Sequence, residues 1–140
     1  MRTVVTSIFL TLFALGAAAQ GTLAVEVVLS EPAKGGTLRL VLCPNASAFA
    51  SEQGCILEQV HVTGPIVVIT RTDLTVGRYA IKAFHDVNDN GKLDTNWIGI
   101  PSEPYGFSND AMGTFGPPSF EQAGFVVKTG ANTVRFRMKG

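Results

Sequence analysis

Apolar and polar residues alternate with period two along several short stretches of the chain. Between Thr22 and Ser30, Leu23, Val25, Val27 and Leu29 alternate with Ala24, Glu26, Val28 and Ser30, the pattern of a strand with one buried face. Thr37 to Cys43 repeats it with Leu38, Leu40 and Leu42 inward, after the turn chemistry of Pro32 to Gly36. Leu57–Val62, Ile66–Thr70 and Arg78–His85 read as three further strands, and Ala46–Gln53 as a helical turn or two. Gly124–Lys128 and Thr133–Met138 flank Thr129-Gly130-Ala131-Asn132, which predicts a hairpin with Val134, Phe136 and Met138 inward and Arg135 and Arg137 outward. About seven short strands, and no well-patterned helix of ten residues, imply an all-β antiparallel β-sandwich, with a small barrel as the alternative. Asp73 to Tyr79 places a Gly turn just before a Tyr at the start of a strand, as in the tyrosine corner of Ig-like Greek-key sandwiches; an ordinary core Tyr is the other reading.

One region breaks the pattern. Thr95 to Gln122 has little periodicity but is rich in aromatic residues (Trp97, Tyr105, Phe107, Phe115, Phe120), so a folded long loop over one end of the sandwich is expected rather than disorder. It is preceded by Asp86-Val87-Asn88-Asp89-Asn90-Gly91-Lys92-Leu93-Asp94. Asp86, Asn88 and Asn90 stand at the first, third and fifth positions of a calcium loop, and Gly91 at the sixth, where the backbone turns sharply. Lys92 offers its carbonyl, Asp94 sits at the ninth position, and the twelfth, where a bidentate Glu belongs, is Trp97. Either water or a later carboxylate then completes the shell, and Glu103 is the nearest acidic residue downstream. Oxygen donors without Cys or a spaced His pair favour calcium; the alternative is a polar turn closed by Asn90-Gly91.

Composition narrows the setting. Met1 to Ala19 reads as an export leader: Arg2, then the apolar run Val4–Leu15, then the small residues Ala17-Ala18-Ala19. That run is too short and interrupted to span a bilayer comfortably; an uncleaved anchor is the alternative. Residues 20–140 then form one domain, periplasmic or secreted, with no transmembrane span after cleavage. The whole chain is formally neutral, so its cleaved form is one charge short of neutrality, with no basic stripe or acidic tail to attract nucleic acid. Cys43 and Cys55 are expected to pair in an oxidising compartment, the alternative being two buried thiols.

The motifs His85-Asp86-x-Asn88-x-Asn90-Gly91-x-Leu93-Asp94, then Gly99-x-Pro101-x-Glu103-x-Tyr105-Gly106-Phe107-Ser108-Asn109, then Pro117-Pro118-Ser119-Phe120, resemble those of the bacterial secreted proteins grouped as domain of unknown function 2141. The resemblance covers essentially the whole mature chain and implies an exported protein with a prealbumin-like sandwich; it implies no established activity. Two functions from different classes compete. One is a calcium-stabilised binding or structural module whose Trp97, Tyr105 and Phe107 contact a protein or carbohydrate ligand, unless those rings form a small core under the loop. The other is a metal-dependent hydrolase gathering His85, Asp86 and Glu103 around an ion, although alternation sends His85 and Asp86 to opposite faces of a strand. No nucleophile motif is present, so an enzyme is the lesser reading.

Overall fold

The computed structural model describes residues 16–140; apart from Gly16 to Ala19 the expected leader lies outside them. Its strands are β1 (Gln20–Val28), β2 (Thr37–Cys43), β3 (Ile56–His61), β4 (Ile66–Thr75), β5 (Gly77–Asp86), β6 (Tyr105–Phe107), β7 (Phe125–Val127) and β8 (Gly130–Arg137), with two short helices, α1 (Ala46–Ser51) and α2 (Phe120–Ala123). They form two sheets, β4-β1-β8 and β3-β2-β5-β6, with β7 also paired to β5. This is an all-β sandwich, and the inward alternation expected of β1 and β2 is what fills it: Leu23, Val25, Val27, Leu29, Leu38, Leu40 and Leu42 are all buried in one cluster between the sheets.

Two details differ from the sequence reading. The last two strands are not a hairpin. Asn132 binds the backbone of Lys128 through both its side-chain atoms, and Gly130 has φ 90°, so the turn forms, but it carries the chain from one sheet to the other. β7 pairs with β5, whereas β8 pairs with β1 and runs parallel to it, the one parallel pairing among otherwise antiparallel ones. Periodicity marks which side chains face the core, and Val127 and Phe136 both do; it carries no information on which sheet each strand joins. The second difference is β6, an eighth strand of three residues inside the expected irregular segment, too short to display a period.

The chain also changes sheets between β4 and β5. There the Tyr79 hydroxyl donates to the Thr75 carbonyl at 2.8 Å, closing the expected corner. β5 consequently presents Tyr79, Ile81, Ala83 and His85 to the core and Ala80, Lys82, Phe84 and Asp86 to the outer face of the five-stranded sheet. That outer face is partly covered by a second apolar cluster, in which Phe49 of α1 packs against Phe107 and Phe120 with centroids 6.4 and 6.1 Å apart. The Cys43–Cys55 disulfide forms and ties the end of β2 to the residue before β3, enclosing α1, whose N-terminus is capped by Asn45.

Candidate functional site

β5 ends at Asp86, whose side chain emerges on the outer face with no exposed surface. Both of its oxygens are used. Oδ2 accepts from Arg39 Nε at 2.6 Å and from the Gly91 N–H at 2.8 Å, and Oδ1 accepts from the Asn90 N–H at 3.0 Å. Arg39 reaches it because β2 pairs Thr37 with Asp86, placing Arg39 diagonally across the ladder. Burial alone raises the Asp86 pKa; the Arg39 hydrogen bond, the two N–H donors and the guanidinium charge outweigh it and hold the carboxyl below its ordinary value.

The remaining loop residues make a chain of side-chain-to-backbone turns. Asn88 Oδ1 accepts the Asn90 N–H and Asn90 Oδ1 accepts the Lys92 N–H, while Gly91 takes φ 84°, the left-handed value its position calls for. The amide nitrogens of Asn88 and Asn90 donate to the Asp94 carboxylate at 2.6 to 2.9 Å. Glu103, almost fully buried, accepts the Val87 N–H at 2.9 Å and the Asp94 N–H at 3.0 Å with separate oxygens. The structure thus brings Asn88, Asn90 and Asp94 together. It joins Asp86 and Glu103 to them through backbone N–H groups, and Glu103 clamps the two ends of the loop. Among the described residues no group of three or more His, Cys, Asp and Glu side chains is arranged to hold a metal. His85, Asp86 and Glu103 do not gather: His85 points into the sandwich, where Nε2–H donates to the Gly35 carbonyl and Nδ1 has no partner.

The sequence motif around β6 has a comparable role. The Ser108 hydroxyl accepts the Ile81 N–H at 2.9 Å and donates to the Ala123 carbonyl; Asn109 Nδ2 donates to the carbonyls of Gln122 and Gly124; Asp110 accepts the Arg137 N–H at 2.7 Å. Together they bind β5, the α2–β7 connection and β8 to one short stretch. Gly106 is required there, since a Cβ would lie 2.8 Å from the Arg137 carbonyl oxygen.

The three candidate contact rings separate. Phe107 is buried in the second apolar cluster, Tyr105 is half-buried and packs edge-on against it at 6.1 Å, and Trp97 is 95% exposed. Phe115 is fully exposed. Two adjoining hollows of about 560 Å³ each run over the outer face of the five-stranded sheet, sharing Lys82, Leu93, Tyr105 and Phe107 as common walls, and the loops that carry these two rings line one of them. One extends over Arg39 and Lys92; the other opens between Ile100 and Phe115. Lys82 stands in the floor with its ammonium 4.8 Å from the Phe49 ring centroid and 3.5 Å from the Glu52 carboxylate.

Sequence reasoning left out Arg39, Lys82, Ser108 and Asp110. Arg39 was legible only through the pairing of β2 with β5. Ser108 and Asp110 sit in a stretch without periodicity; the quoted Gly-Phe-Ser-Asn motif contains Ser108 and ends one residue before Asp110. No curated protein and no solved structure matches the chain. The family model described as an uncharacterized protein conserved in bacteria matches residues 25–135. Its match spans the sandwich, the Asp86 loop and the aromatic segment alike, and the chain belongs to this bacterial family.

Proposed function

We propose that the protein is an exported, non-enzymatic binding module, stabilised by calcium at the Asp86–Asp94 loop and making contact through the aromatic end of the long segment. The observation that carries this reading is the full exposure of Trp97 and Phe115 beside a cleft floored by Tyr105, Phe107 and Lys82. Concave, largely apolar sites with a few placed polar groups are the usual form of a binding site. The Cys43–Cys55 bridge accords with an extracytoplasmic setting, and no helix among the described residues is long and apolar enough to cross a membrane.

Support for calcium lies in the donor chemistry. Asp86, Asn88, Asn90, Asp94 and the Lys92 carbonyl are all hard oxygen donors, and each carboxylate or amide oxygen that accepts one N–H keeps a second lone pair. As the side chains stand, amide nitrogens rather than oxygens face Asp94, so the ion in this reading displaces those three contacts and turns the amides. Glu103, with both oxygens on backbone N–H groups, supports the loop ends and is the lesser candidate ligand. Extracellular calcium modules bind with dissociation constants of about 10⁻⁴ to 10⁻³ M, and a hundredfold excess over that constant adds about 2.7 kcal/mol of stability.

The test is thermal melting in chelator, in millimolar magnesium and in millimolar calcium, for the wild type and Asp94→Ala. The reading requires a calcium-specific rise in Tm that Asp94→Ala abolishes. Identical melting of both proteins in all three buffers would leave a loop closed by its own N–H bonds, with no ion.

A further inference from the structure

Half of the large apolar side chains exposed among the described residues lie on just two loops: Trp97, Ile98, Ile100, Met112 and Phe115. The two loops face each other, since Gly99, Ile100 and Pro101 on one side and Met112 to Pro117 on the other line the same hollow. Neither carries a charge. From Thr95 to Ser102 and from Ala111 to Phe120 there is no Asp, Glu, Lys or Arg, although charged residues bound both stretches closely at Asp94, Glu103, Asp110 and Glu121.

We propose that these two loops dock on a phospholipid bilayer, inserting Trp97, Ile98, Ile100 and Phe115 at the boundary between headgroups and acyl chains. The inference rests on the reading of this end as the contact surface and names its partner. Three observations favour a lipid surface over a protein. Trp97 and Phe115 stand free at 95% and 102% exposure. Separate projecting rings require a protein partner to offer a shaped pocket for each, whereas the bilayer interface accepts them in any arrangement. The absence of charge over both stretches suits a medium in which a charged side chain is strongly disfavoured. Finally, polarity rises along the chain away from the apolar residues: Thr95, Asn96 and Ser102 flank them, and Asp94, Lys92, Asn90 and Asn88 precede them in the sequence, as suits a segment that meets an interface between hydrocarbon and water. The tips are shallow, and no helix among the described residues is long enough to span, so the attachment is peripheral.

Trp97 is the only tryptophan in the chain, so its emission reports this loop alone. The purified full domain is mixed with phosphatidylcholine vesicles and followed by co-sedimentation and Trp97 fluorescence. Insertion predicts co-sedimentation with these uncharged vesicles, a shift of Trp97 emission to shorter wavelength, and little loss of either at high salt. Phe115→Asp should weaken partitioning by roughly tenfold or more without changing Tm, because the Phe115 side chain buries no surface in the fold. The proposal is overturned by the absence of binding and shift at millimolar lipid. It is equally overturned by binding confined to anionic vesicles and lost in salt, or by a lipid-free shift that grows with protein concentration, which would identify a second copy as the partner. Acrylamide quenching without lipid separates the layers of the argument. A readily quenched Trp97 with no vesicle binding removes the lipid partner alone, whereas a shielded Trp97 removes the contact surface itself.

Discussion

At its roots, the segment from Asp86 to Gln122 directs buried polar groups at the chain itself. Asp86, Glu103 and Ser108 are each buried, and each accepts backbone N–H groups from a part of the fold that has no ladder partner to offer them. At its tips, Trp97 and Phe115 are bare and uncharged neighbours surround them. The same segment thus holds firmly where it meets the sandwich and exposes apolar surface where it leaves it. Exposed rings of this kind reduce solubility and contribute nothing to the core, so their presence on firmly held loops points to contact with something else. A loop whose function was only to pack would bury its largest side chains, as Phe107 and Phe120 do in the second cluster.

The contrast can be broken most forcefully at Asp86. Asp86→Ala leaves a guanidinium only partly exposed, the Gly91 N–H unpaired and the Asn90 N–H with only its longer bond to Asn88, and is expected to cost about 3 kcal/mol or more in chemical denaturation. The pH dependence has a definite sign. Because the folded carboxyl titrates below its ordinary value, the stability it contributes is complete above about pH 4, the unfolded carboxylate range, and is lost as pH falls through the folded pKa. The stability gap between wild type and Asp86→Asn should therefore narrow only below about pH 4. Glu103→Gln retains one acceptor for two N–H donors and turns an amide N–H toward the other, which should cost about 2 kcal/mol. Tyr79→Phe, away from this segment, removes one hydrogen bond and should cost about 1 kcal/mol, a gauge for an ordinary corner. At the far end of the scale, Trp97→Ala and Phe115→Ala should leave denaturation midpoints within about 0.5 kcal/mol of wild type, while changing any surface contact. A large loss from either tip substitution would show that the rings pack in solution and would erase the distinction.

Much of the sandwich was legible because period-two alternation reports one-sided burial directly. Leu38, Leu40 and Leu42 needed no knowledge of their neighbours. Sheet membership was not legible: Val127 and Phe136 face the same core from opposite sheets, and the turn between them looks like that of a hairpin. The Asp86 loop was recognisable from the spacing of its oxygens and Gly91, but the spacing is blind to what those oxygens bind first. Arg39 and the N–H groups of Asn90 and Gly91 come to Asp86, and those of Val87 and Asp94 to Glu103, through strand pairing and chain closure. The fate of the aromatic residues was hidden for the same reason. Phe107 and Phe115 are alike in composition and differ only in whether α1 and α2 stand over them.

Amide hydrogen exchange on the wild-type protein in calcium-free buffer tests the root-and-tip division most directly. The bonds described predict slow exchange at Val87, Asn90, Gly91 and Asp94, whose N–H groups end on Asp86 and Glu103, and fast exchange at Trp97 and at Thr114 to Gly116. Uniformly fast exchange from Val87 to Gly116 would contradict the carboxylate clamp, and protection at Trp97 or Phe115 would contradict the exposed contact surface.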